Sequence, residues 1–201
     1  GEKILETGKI RGIRNVIDRN DVIHGIMMNS GEHQLEYGTI REGEWVSEIL
    51  ISDFPDASQL SIGVDGSDRI HCSYDDHRIP GLVHTVKTNS GWQSETVCEG
   101  YSFRSSKMAV GKNGDIAIVA SSGTELLLFR KTDGVWSQTS LGTGDYGAVS
   151  VCMDSQDIPH AIFSRREGTG TYSKHVCCYI FLEDGVWKEE MIKETTVGSG
   201  L

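Results

Sequence analysis

The same polar turn is written four times along this chain, and that repetition constrains its fold more than any other feature. The copies are Asp18-Arg19-Asn20-Asp21-Val22-Ile23-His24, Asp65-Gly66-Ser67-Asp68-Arg69-Ile70-His71, Gly111-Lys112-Asn113-Gly114-Asp115-Ile116-Ala117 and Asp154-Ser155-Gln156-Asp157-Ile158-Pro159-His160. Each opens a strand-like run. A tryptophan follows each turn, at Trp45, Trp92, Trp136 and Trp187, spaced 47, 44 and 51 residues apart. That is the period of propeller blades. The second copy reads most clearly. Leu60–Val64 alternates large and small residues as a first strand, and Asp65-Gly66-Ser67-Asp68 is a turn in which Asp and Ser side chains bond nearby amides. Ile70–Tyr74 is a second strand, Asp75–Pro80 a loop, Gly81–Val86 a third strand, and Trp92–Val97 an outer strand after the Asn89-Ser90-Gly91 turn. Leu35-Glu36-Tyr37, Leu126–Phe129 and Val176–Phe181 keep the plan in the other copies.

The expected fold is therefore all-β: four four-stranded antiparallel blades of one β-propeller domain over residues 1–201, with repeats at about 10–51, 56–99, 104–141 and 146–193. Only three prolines occur, and no long segment has a 3.6-residue period. Two arrangements fit, a closed four-bladed ring or a fragment of a larger propeller. Glu2-Lys3-Ile4-Leu5 matches the tail of an outer strand such as Glu48-Ile49-Leu50, yet Trp187–Ile192 already supplies the fourth outer strand. A fragment of a longer array is accordingly expected, with homo-oligomers through its unpaired blade edges. Each tryptophan is expected to pack between neighbouring blades, where burying about 150–250 Å² at roughly 25 cal/mol per Å² is worth several kcal/mol at most.

Charge and composition narrow the partners. The formal net charge is −10, and no Lys/Arg run is present, which disfavours a nucleic-acid surface because such surfaces neutralise phosphates. No apolar stretch reaches the roughly 18 residues of a membrane-spanning helix, and the first residues do not read as a signal peptide. Cys72, Cys98, Cys152, Cys177 and Cys178 lie in or beside apolar runs, without zinc-ligand spacing, and are expected to be small buried hydrophobes. Neither a metal nor a cofactor is expected.

The unit of Asp turn, His-led strand, Leu-x-Tyr-like strand and Asp-Gly-x-Trp resembles the bacterial propeller repeats grouped as sialidase-like or BNR-type, from about Arg14 to Ile192. That resemblance implies a propeller, implies secretion, and is compatible with glycan hydrolases, polysaccharide lyases, lectins and repeats without a ligand. The sialidase box Ser-x-Asp-x-Gly-x-x-Trp is not met: Thr132-Asp133-Gly134-Val135 is one residue too short before Trp136, and Asn89-Ser90-Gly91 has no Asp.

His24, His71 and His160 occupy one repeat position, so symmetry spreads them over three blades, each bonding a turn group of its own blade. Function is expected instead in the loops that break the repeat. The loops between second and third strands carry Glu32-His33, Asp75-Asp76-His77-Arg78, Glu125 and Arg165-Arg166-Glu167; the connections between repeats carry Asp53-Phe54, Tyr101-Ser102-Phe103-Arg104 and Asp145-Tyr146. Both sets should share a rim. Arg78, Arg104, Arg165 and Arg166 beside Tyr101 and Tyr146 suit a glycan, with rings stacking on sugar faces and guanidinium forks holding carboxylates. The expected role is a non-catalytic recognition scaffold for a glycan or a protein. The alternatives are a sialidase-like hydrolase or a lyase, for which Asp76, His77 and Tyr101 are the candidate proton-transfer residues with Arg104 clamping the anion, and a protein-interaction platform.

Overall fold

The computed structural model describes residues 10–54, 57–168 and 173–196. The N-terminal segment with Ile4 and Leu5, and the tail after 196, lie outside them. The described residues contain sixteen strands and no helix. They form four antiparallel sheets of four strands, each ordered as the chain runs. The first sheet is β1 (Ile10–Ile17), β2 (Ile23–Asn29), β3 (Gln34–Arg41) and β4 (Glu44–Ile51). The second is β5 (Ala57–Val64), β6 (Ile70–Asp76), β7 (Gly81–Thr88) and β8 (Gly91–Glu99). The third is β9 (Ser105–Val110), β10 (Ile116–Ser121), β11 (Glu125–Thr132) and β12 (Val135–Thr143). The fourth is β13 (Asp145–Met153), β14 (Pro159–Glu167), β15 (Lys174–Glu183) and β16 (Val186–Thr196).

The four turns close alike. In each, the first residue's amide bonds the carbonyl four residues on, and the fourth residue's amide bonds the first residue's carbonyl: Asp18 with Val22 and Asp21, Asp65 with Arg69 and Asp68, Gly111 with Asp115 and Gly114, Asp154 with Ile158 and Asp157. The fourth residue has positive φ in every copy, 60°, 59°, 88° and 57°. Asp and Gly tolerate that region best, which explains their recurrence there. Another repeated device is invisible in the letters: every outer strand carries a register shift, at Leu50, Val97, Leu141 and Ile192. Such bulges bend a strand and increase its twist.

The chain divides into two compact units, Gly1–Tyr101 and Ser102–Leu201. In the first, β1 packs against β5, and a core of Ile26, Met28, Leu35, Leu60, Ile70 and Cys72 fills the space between the two sheets. In the second, β9 packs against β13, and Val119, Leu126, Leu128, Phe163, Val176 and Ile180 do the same.

The tryptophans divide rather than all packing between sheets. Trp92 and Trp187 join the two inter-sheet cores. The Trp92 ring meets Tyr37 edge to face at 5.0 Å, and its Nε1–H donates to Glu48 at 2.8 Å. Trp45 instead lies on its own sheet, over Gly25 and Gly38, where an added Cβ would come within 2.7 and 2.5 Å of the ring. Trp136 is half-buried, with the Lys131 ammonium 5.8 Å from its ring centre. The cysteines also divide: all five are free thiols, with Cys72 and Cys178 buried, Cys98 and Cys177 half-buried, and Cys152 exposed.

Candidate functional site

The repeated histidines belong to the scaffold. Nε2 of His24 lies 3.3 Å from Asp18, that of His71 lies 3.4 Å from Asp65, and that of His160 lies 3.4 Å from Asp154. On the other side of the ring, Nδ1 shares a hydrogen bond with the Tyr37 phenol at 2.6 Å for His24 and with the Tyr179 phenol at 2.5 Å for His160. His71 bonds His84 at 3.0 Å, and His84 bonds Glu95 at 2.8 Å. Each chain links a turn to the strands behind it, so each imidazole is held in its own sheet.

The turn carboxylates are held ionised. Amides of Val22 and Asn20 hold the Asp18 pKa below its ordinary value, and those of Ile158 and Gln156 do so for Asp154. Burial alone would raise Asp65, but the Arg69 and Ser67 amides, the Arg69 side chain and His71 outweigh it and lower its pKa.

The third copy lacks both Asp and His, and the structure shows what replaces them. Asp157, 4% exposed, sends its carboxylate from the fourth turn into the third, accepting from the Lys112 and Asn113 amides at 2.9 Å each. Gly111 makes room for it, since a Cβ there would lie 2.5 Å from the carboxyl carbon. The His–Tyr positions are Ala117 and Leu128, both buried. Losing both polar partners together leaves no orphaned group.

The residues that break the repeat gather at one edge of the second unit. The two loop families meet there: the Gly144 amide bonds the Thr124 carbonyl, and the Tyr146 amide bonds that of Gly123. The same meeting occurs in the first unit, between Phe54 and His33 and between Gly100 and Pro80. In the second unit the meeting leaves an open depression of about 400 Å³ lined by Arg104, Gly123, Thr124, Gly144 and Asp145. The Arg104 guanidinium pairs with Asp145 at 3.1 Å, and the pair is 63% and 50% exposed. Gly123, at φ +94°, lets that guanidinium lie against the backbone; a Cβ would stand 2.5 Å from its Nε. Gly123 and Thr124 carry no sequence signal of their own; the fold alone brings them beside Arg104 and Asp145.

Two nominated residues at this edge turn inward. Tyr146 is 2% exposed and packs edge to face on Phe163, so its ring offers no stacking face to a ligand. Burial raises its pKa, against the lowering effect of its hydrogen bond with Arg165. Arg165, Arg166 and Glu167 lie in β14, not in a loop, and Arg165 is tied to Glu167 at 2.7 Å and Glu189 at 2.9 Å. Burial opposes its charge, but the Glu167 hydrogen bond and the Glu189 charge outweigh that and hold it firmly protonated. Its neighbour Arg166 is exposed and faces Asp145 across the strands.

Asp76, His77, Arg78 and Tyr101 belong to the first unit. Asp75 and Asp76 are not loop residues: they end β6 and are buried. Arg78 grips Asp76 through its amide at 3.0 Å and its guanidinium at 3.0 and 2.8 Å, and lies over Phe54 at 4.9 Å. Burial alone would raise the Asp76 pKa, but the Arg78 hydrogen bonds outweigh it and lower the value, which makes this carboxylate a weak base. His77 is exposed and Tyr101 half-buried.

Site and fold define a class, an all-β protein of repeated four-stranded sheets with a polar depression at a loop edge. No protein-family model matches the sequence, and no curated protein matches it. Among solved structures, the chain is similar to a protein of unknown function from Dyadobacter fermentans, with a TM-score of 0.60 and 13% identity over 91% of this chain and 69% of that one. It is also similar to a "bifunctional GH43-CE" of Bacteroides eggerthii, with a TM-score of 0.54 and 12% identity over 94% of this chain and 27% of that one. At these identities the likeness is one of fold.

Proposed function

We propose that the four sheets are blades of a sialidase-like, BNR-type β-propeller, and that the chain is a non-catalytic recognition scaffold whose ligand is a glycan. Within each unit, two sheets meet face to face through their first strands, which supports reading them as adjacent blades. The observation that carries the functional reading is the open depression at Arg104, Thr124 and Asp145. A solvent-facing guanidinium and carboxylate side by side match vicinal hydroxyls, one donating and one accepting. Turned from Asp145, the same fork takes a sugar carboxylate bidentately. Gly123 seats the Arg104 guanidinium against the backbone, which holds the fork at the edge of the depression. Asp76 locked by Arg78 supports recognition over acid–base catalysis.

The test is binding to an array of neutral and acidic glycans. Arg104→Ala is expected to weaken acidic-glycan binding at least about tenfold, the worth of one charge-assisted hydrogen bond, while the thermal midpoint stays unchanged because the side chain is exposed. Unchanged affinity removes the site.

A further inference from the structure

The register of the fourth sheet continues the depression into a row of polar side chains. Asp145, which lines the depression, pairs with Arg166, Arg166 with His175, and His175 with Thr195. Residues paired across strands stand side by side on one face, so this row crosses the end of β13–β16 from the Arg104–Asp145 contact to the outer strand. One step along the strands, Ser164, Cys177 and Lys193 form the next row of the same face. Asp145, Arg166, His175, Thr195 and Lys193 are all exposed.

The chain as a whole carries −10, yet cations outnumber carboxylates in these rows. Arg104, Arg166 and Lys193 stand against the one carboxylate of Asp145. The acids near them in sequence lie on the opposite face and are engaged there: Glu167 and Glu189 hold Arg165, and Glu194 holds Lys174. Glu125, next to Thr124, accepts from the Ser140 hydroxyl at 3.0 Å. Glu190 lies further along the cationic face, opposite Tyr179. Neighbouring strands are about 4.8 Å apart, so the step from Asp145 on β13 to Lys193 on β16 covers roughly 14 Å. That is longer than one sugar ring and within reach of a short chain of them.

We infer that the ligand is a chain of acidic sugars, with one carboxylate taken by Arg104 in the depression and the following ones by Arg166 and Lys193 across the end of β13–β16. The inference rests on the reading of the depression as a glycan site and names the class of glycan. A single acidic sugar engages Arg104 alone, whereas a chain engages all three cations and offers its hydroxyls to Ser164, His175 and Thr195. Each exposed ion pair is weak and screened by salt. Joining several on one ligand is what makes the contact strong.

Isothermal titration with galacturonate, tetragalacturonate and the neutral tetragalactose tests this on wild type, on Arg104→Ala and on the double variant Arg166→Ala/Lys193→Ala. Tetragalacturonate is expected to bind wild type at least about tenfold more tightly than the monomer, with an advantage that shrinks as salt rises. The double variant is expected to lose most of that advantage, about threefold for each cation, while its affinity for the monomer and its thermal midpoint stay unchanged, because both side chains are exposed and lie outside the depression. Tetragalacturonate bound no more tightly than the monomer, or bound by the double variant as by wild type, overturns the inference. If tetragalactose then still binds wild type and not Arg104→Ala, the glycan reading stands and only the acidic chain falls. If none of the three sugars binds wild type, the reading of the depression fails and this inference with it.

Discussion

At the residue scale, the third turn shows how a repeat survives the loss of its own letters. Gly111 stands where the other three copies have Asp, and the space beside it holds the carboxylate of Asp157 from the next turn. Asp157→Ala strands two amides, at an expected cost of about 2–3 kcal/mol by urea denaturation. Gly111→Asp drives one carboxylate into another and is expected to be destabilising alone. Together the two substitutions should cost less than the sum of the single changes, because the local Asp resumes the role it has at Asp18; strict additivity contradicts this reading. The sequence made Gly111 and Ala117 visible as departures from the pattern. It could not show where the replacement carboxylate came from, because Asp157 is 46 residues away and reads as the fourth letter of its own turn.

At the scale of strands and sheets, most of the architecture was legible. Alternating apolar runs between Asp- and Gly-bearing turns marked all four strands of the second sheet, to within three residues at either end. What misled was polarity taken as a sign of loops. Asp75, Asp76 and Arg165 are charged yet belong to strands; Arg78 pairs with Asp76, and Glu167 and Glu189 pair with Arg165. The outer-strand bulges left no sequence mark, because they depend on pairing and not on residue type. Tryptophans of one repeat position also diverge in role. Trp92→Ala removes the ring wedged against Tyr37 and is expected to cost about 3 kcal/mol or more, whereas the same change at Trp136 should cost clearly less, as chemical denaturation would read. Gly25 and Gly38 explain why Trp45 lies on its own sheet: the second sheet has Cys72 and Thr85 at the corresponding positions, which deny Trp92 that bed.

For the molecule as a whole, repetition builds the framework, and the proposed recognition site lies where the repetition fails. The Asp–His–Tyr chains tie turns to strands, while Arg104, Thr124 and Asp145 face solvent from segments that no other copy matches. The candidate site was half legible: Arg104 and Asp145 stood out as charged residues between repeats, but only the folded chain brings Gly123 and Thr124 beside them and turns Tyr146 inward. The most direct test is the thermal midpoint of His24→Ala measured against that of Arg104→Ala. Removing the imidazole leaves the buried Tyr37 phenol without this hydrogen-bond partner and takes one contact from Asp18, which keeps its Asn20 and Val22 amides, a loss of about 1–3 kcal/mol, or roughly 2–4 °C for each kcal/mol in a chain of this size. The account predicts a midpoint several degrees lower for His24→Ala and unchanged for Arg104→Ala; a His24→Ala protein as stable as wild type that had lost ligand binding would contradict it.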